Sequence, residues 1–242
     1  MSSLAERYLA EIGITVYKRR GLVQPADTPS TPENSRAVAR GPAEPAPAVG
    51  APPVGAPEAW ERLAAEVRAC TLCGLHKTRT QTVFGVGRRD ADLLVIGEAP
   101  GADEDRQGEP FVGRAGQLLN AMLRAIGLPR SEVYIANILK CRPPGNRDPQ
   151  PEEASLCTPY LSRQIALVSP RAILAVGRIS AQWLLQTDAP IGRLRGRVFR
   201  YGESGTPLVV TYHPAYLLRS PLQKATAWTD LCMVKELLQK RA

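Results

Sequence analysis

Four of the five cysteines are spaced as a ligand set. Cys70 and Cys73 form a Cys-x-x-Cys pair, and Cys141 and Cys157 follow with fifteen residues between them. Together they offer four thiolates to one metal centre, and spacing alone fits a zinc ion and an iron–sulfur cluster equally well. Disulfides are the competing use of these residues, which the lack of an export signal argues against. Cys232 sits in an apolar helical stretch and reads as ordinary packing.

Three further side chains stand where apolar runs stop. Glu98 follows such a run in Gly97-Glu98-Ala99-Pro100-Gly101, with more glycines at 108, 113 and 116. A carboxylate there could activate water or stabilise a developing cation, and glycines let backbone amides approach a ligand. The plainer reading is a simple turn. The loop lacks the Gly-x-x-x-x-Gly-Lys-Ser/Thr pattern of a nucleotide-binding loop. Asn137 precedes Lys140-Cys141-Arg142-Pro143-Pro144, and its amide offers one acceptor and two donors to the edge of a base. His213 opens His213-Pro214-Ala215, whereas the other histidine, His76, lies beside the cysteine pair.

These residues need a scaffold that brings distant strand ends together. From Pro57 onward apolar runs alternate with amphipathic stretches, the pattern of an α/β fold with a largely parallel sheet. Strands are predicted at 93–97, 133–138, 172–176 and 208–211. Helices are predicted at 58–68, 116–126, 151–167, 179–185 and 223–240. Function in such sheets collects beyond the carboxyl ends of the strands, where Glu98, Asn137 and His213 fall.

The chain has 242 residues, enough for one domain with an appendage. Residues 21–57 hold 9 Pro and 8 Ala in 37 positions and read as a disordered linker. Ahead of it, residues 1–20 carry Leu4, Tyr8, Leu9 and Ile12 partly at helical spacing, a docking peptide for a protein or DNA partner or else a frayed tail. Residues 58–242 form the folded domain. The net charge is +8, and residues 171–242 supply most of it, with 11 basic and 4 acidic side chains. That bias favours a polyanion such as nucleic acid, the simpler alternative being a solvated basic surface. No apolar run is long enough for a membrane span and no secretory signal is evident, so a soluble, cytoplasmic protein without a membrane partner is expected.

In combination these motifs are specific. Gly97-Glu98-Ala99-Pro100-Gly101, then Pro110-Phe111-Val112-Gly113-Arg114-Ala115-Gly116, Asn137 four residues before Cys141, the four-cysteine spacing and His213-Pro214-Ala215 together resemble the family-4 uracil-DNA glycosylases, over residues 58–242. The resemblance implies a three-layer α/β/α fold with a central, mostly parallel four-stranded sheet, and a monomer that excises uracil from single- or double-stranded DNA. It implies that Phe111 stacks on the flipped uracil, Asn137 reads its O4 and N3 edge, and Gly97 adds backbone contacts. Glu98 would handle water, His213 would donate to O2 of the departing base, and Glu104 would bar the C5-methyl of thymine. Arg114 and Arg219 would contact DNA, while Tyr216, Leu217 or Leu218 would fill the space left by the base, unless the leucines pack into the core. Cys70, Cys73, Cys141 and Cys157 would hold a [4Fe–4S] cluster that braces the loop after Asn137. Two alternatives are a non-catalytic iron–sulfur uracil-DNA-binding module and a relative that traps DNA covalently through a histidine in an Arg-rich loop. The matching stretch here, 191–198, has no histidine.

Overall fold

Residues 93–97 and 172–176 are uninterrupted apolar runs, and in the computed structural model, which describes residues 57–240, both are strands buried along their full length. In chain order the described residues form α1 (Pro57–Ala69), β1 (Val86–Gly87), β2 (Leu93–Gly97), α2 (Ala102–Gln107), α3 (Arg114–Ala125), β3 (Tyr134–Asn137), α4 (Pro151–Val168), β4 (Ala172–Val176), α5 (Arg178–Leu185), α6 (Ile191–Leu194), β5 (Val198–Tyr201), β6 (Thr206–Thr211), α7 (Pro214–Arg219) and α8 (Gln223–Gln239), with short 3-10 turns between them. The amphipathic segment at 1–20 and nearly all of the predicted linker lie outside the described residues.

The six strands form one sheet in the order β1-β3-β2-β4-β6-β5. The four central strands pair in parallel, and β1 and β5 add antiparallel edges. The four predicted strands are these central ones, so the expected count of four is corrected to six. β1 is only two residues long, and β5 carries Arg200 in a stretch rich in arginine, so neither leaves an apolar signature.

Alternate residues of the central strands face opposite layers, as the two-residue repeat of a strand requires. Leu94, Ile96, Ile173 and Ala175 pack with Trp60 and Leu63 of α1 and Leu161 and Ile165 of α4. Leu93, Val95, Ile135 and Leu174 pack instead with Leu119 and Leu123 of α3 and Leu231 and Val234 of α8. Both faces are thus covered, which explains why these strands read as continuous apolar runs. No helix among the described residues is long and apolar enough to cross a membrane.

Candidate active site

All four parallel strands point their carboxyl ends at one cleft of about 820 Å³. Glu98 follows β2, Asn137 ends β3, Gly177 follows β4, and Tyr212 and His213 follow β6, all lining it. Gly97 and Asn137 are direct partners in the β2–β3 ladder, and Ile138 and Leu139 extend the pairing by donating to the carbonyls of Gly97 and Glu98, each at 3.1 Å.

Glycine at 97 opens a slot in this floor. A Cβ there would run into Asn137 Oδ1 and lie 2.7 Å from the Phe111 ring. Asn137 is 2% exposed, and its Oδ1 is buried without a hydrogen-bond partner. A buried acceptor left unpaired carries a free-energy cost that a ligand donor would relieve.

Phe111 is held from several sides. Its φ of 55° lies in the left-handed region, costly for a bulky side chain, so the surroundings must impose it. Arg130 donates to the carbonyls of Pro110 at 2.6 Å and Phe111 at 3.3 Å. Gly116 leaves room for the Phe111 carbonyl, which a Cβ would strike. Glu104 lines the cleft, with both oxygens engaged by backbone: Oε1 accepts from Val112 at 2.9 Å and Gly113 at 3.1 Å, and Oε2 from Gly101 at 3.1 Å. Glu104 therefore ties together the two loops that carry Glu98 and Phe111.

His213 caps α7, its Nδ1 accepting from the Ala215 amide at 3.2 Å. That bond leaves the proton of the neutral ring on Nε2. Burial, reinforced by the positive charge of Arg219, pushes its pKa down to about 4 against the opposing pull of Glu104, so the ring is neutral near pH 7. Gly177, at φ 101°, lets the ring in, since a Cβ there would come 3.1 Å from His213 Cβ. Glu98 shifts the other way. Burial and the nearby Asp148 raise its pKa to about 7, with Arg178 opposing.

Around the rim, Tyr216 and Arg219 line the cleft, and Arg114 is exposed at the start of α3. Leu217 is a correction to the expected DNA contacts. It is fully buried in the core that α3 and α8 share, because α7 turns it inward. Leu218, one residue on and 37% exposed, is the outward leucine.

Away from the cleft, Cys70, Cys73, Cys141 and Cys157 line one small cavity, closed by Leu72, Leu75, Leu139 and Leu156. Arg79 Nη1 donates to Cys141 Sγ at 3.0 Å, and the Lys140 amide to Cys157 Sγ at 3.3 Å. Burial pushes the thiol of Cys157 up to about 11 and raises that of Cys141. Bare thiolates are thus disfavoured, and a metal's positive charge would be needed to draw the protons off. Among the described residues no group of three or more His, Cys, Asp or Glu is arranged to hold a metal ion, although the four cysteines line one cavity.

Gly177 and Arg130 were not foreseen. Gly177 follows an apolar strand, so the strand-end rule that located Asn137 reaches it too. Arg130 acts on backbone carbonyls some twenty residues away and leaves no local pattern.

A doubly covered, mixed sheet with Asn137, Phe111 and His213 gathered at the carboxyl edge of its parallel strands defines a class, and the chain belongs to the uracil-DNA glycosylase superfamily, whose family model matches residues 84–232. Within it the similarity is to the type-4 members. The chain is 43% identical to the type-4 uracil-DNA glycosylase of Archaeoglobus fulgidus over 76% of its length and 96% of the relative. It is 42% identical to that of Thermotoga maritima, over 67% and 85%. A type-5 enzyme of Pyrobaculum aerophilum is more distant, at 30% over 64% and 73%.

Proposed function

We propose that residues 58–242 act as a monofunctional uracil-DNA glycosylase of base-excision repair, extruding uracil from DNA and hydrolysing its N-glycosidic bond. The unpartnered Asn137 Oδ1, buried beside Phe111 in the slot that Gly97 opens, carries this reading. It is an acceptor awaiting a donor, and N3–H of uracil is such a donor, whereas N3 of cytosine is an acceptor and would leave Oδ1 unpaired. Phe111 supplies the stacking face, and Glu104, through its loop, fixes how closely that face approaches position 5 of the base.

As the C1′–N1 bond breaks, its electron pair leaves with the base and charge gathers on O2. The neutral His213 donates from Nε2–H to that oxygen. Glu98 stabilises the cationic sugar and takes a proton from the water that adds at C1′. Arg219 and Arg114 meet phosphates, and Tyr216 and Leu218 support the stack that the base has left.

The four cysteines suit a [4Fe–4S] cluster. They are four thiols lining one small apolar cavity, and two of them receive N–H donors, a donor set that suits an iron–sulfur core; the choice of a cluster over zinc rests on the resemblance to the family-4 enzymes. Such a cluster would brace the end of α1, the loop after Asn137 and α4, and the hydrolysis needs no electron from it. The test is incubation with a uracil-containing oligonucleotide followed by alkali. Strand cleavage at uracil supports the assignment, and an intact strand despite binding rejects it.

A further inference from the structure

Lys140 is a buried cation between the two sites. Its side chain is 1% exposed, and Nζ donates at 2.7 Å to the backbone carbonyl of Asn137 and at 2.7 Å to Oε1 of Gln164. Both acceptors are neutral. Gln164 is fully buried and anchored by its own amide, which donates to the Phe84 carbonyl at 2.9 Å and to the Tyr134 hydroxyl at 3.2 Å. Among the described residues Lys140 forms no ion pair with a carboxylate. Lys140 lines the same small cavity as Cys70, Cys73, Cys141 and Cys157. The same residue's amide donates to Cys157 Sγ.

A buried ammonium without an anion is costly, so lysines at such positions are normally paired. Four cysteine thiolates on an iron–sulfur core carry net negative charge, which would fill that role. We propose that Lys140 is the internal counter-ion of the cluster and, through the same ammonium, the strut that sets the Asn137 carbonyl, so that one cation ties the metal site to the base-reading strand end. This rests on the cluster assignment above. The cation stabilises the more negative, reduced form of the cluster, and its hydrogen bond to Asn137 keeps the unpartnered Oδ1 aimed into the slot.

The test uses purified holoprotein with its iron, comparing Lys140→Met, Lys140→Arg and Gln164→Glu with the parent. Met removes the charge and Glu neutralises it in place, so both should lower the cluster's reduction potential. Arg should leave it close to the parent value. Iron release to a chelator should be roughly tenfold faster in Lys140→Met, the scale of losses on removing groups that support metal ligands. Excision kcat should fall while affinity for uracil-free DNA holds. Should Lys140→Met fail to fold, Gln164→Glu still reports the potential. Parent-like potentials in the variants that fold overturn the counter-ion role. A parent protein that binds zinc and no iron overturns instead the cluster assignment beneath it.

Discussion

The rings of Phe111 and His213 stand 5.7 Å apart at an interplanar angle of 31°. A flat base sandwiched between them would need two van der Waals separations, about 7 Å in all. Under the proposed function uracil would therefore lie on Phe111 with its edge toward His213, the orientation in which a neutral imidazole donates to O2. Replacing His213 by Phe keeps a ring and removes the donor. Excision should fall by roughly a hundredfold or more, the scale of losing one preorganised donor, while DNA affinity changes little. Parallel kinetic and binding titrations check this.

Gly97→Ala should be nearly as damaging. The added methyl meets Asn137 Oδ1 and the Phe111 ring together, closing the slot from its floor. A displacement of this size costs on the order of a hundredfold in kcat/KM. Circular dichroism should still show a folded protein, which separates a blocked slot from a collapsed sheet.

The pH profile follows from Glu98. With its pKa at about 7, the carboxylate proposed to accept the water proton forms only as pH rises, so the excision rate should climb to a plateau above pH 7. Glu98→Gln should remove that limb. Asp148→Asn deletes the charge that helps raise Glu98 and should move the limb to lower pH, whereas Arg178→Gln should move it higher. The native state here holds a proton that the unfolded chain releases near 4.5, so this group makes stability fall between pH 4.5 and 7. Glu98→Gln should accordingly raise the melting temperature at pH 8 more than at pH 4.

The two leucines of α7 should separate cleanly. Leu217→Ala opens a cavity in the core and should cost about 2–5 kcal/mol of stability by denaturant titration. Leu218→Ala should alter stability by less than about 0.5 kcal/mol. Its effect should appear instead as slower excision from duplex than from single-stranded DNA, because only a duplex has a gap to fill.

The central strands were legible because burial on both faces turns them into unbroken apolar runs. The edge strands were not, since Val198–Tyr201 alternates only weakly and includes Arg200. Asn137 and His213 could be picked out because both fall at the carboxyl ends of predicted strands, where an open α/β sheet collects its function. Leu217 and Leu218 could not be told apart. Adjacent leucines in a six-residue helix give no period to read, and only the packing of α3 and α8 against Leu217 decides which one is hidden. Lys140 looked like one more basic residue in a polar loop, because its acceptors are a backbone carbonyl and a glutamine on a distant helix.

The sheet order also separates the two centres in time. Cys70, Cys73, Cys141 and Cys157 all precede β4, whereas His213 follows β6, which pairs with β4 in the sheet. A ribosome therefore delivers every thiol of the cavity before it delivers the last strand of the cleft. Phe111 and Asn137 also precede β4, so His213 is the last of the three residues around the slot to be made.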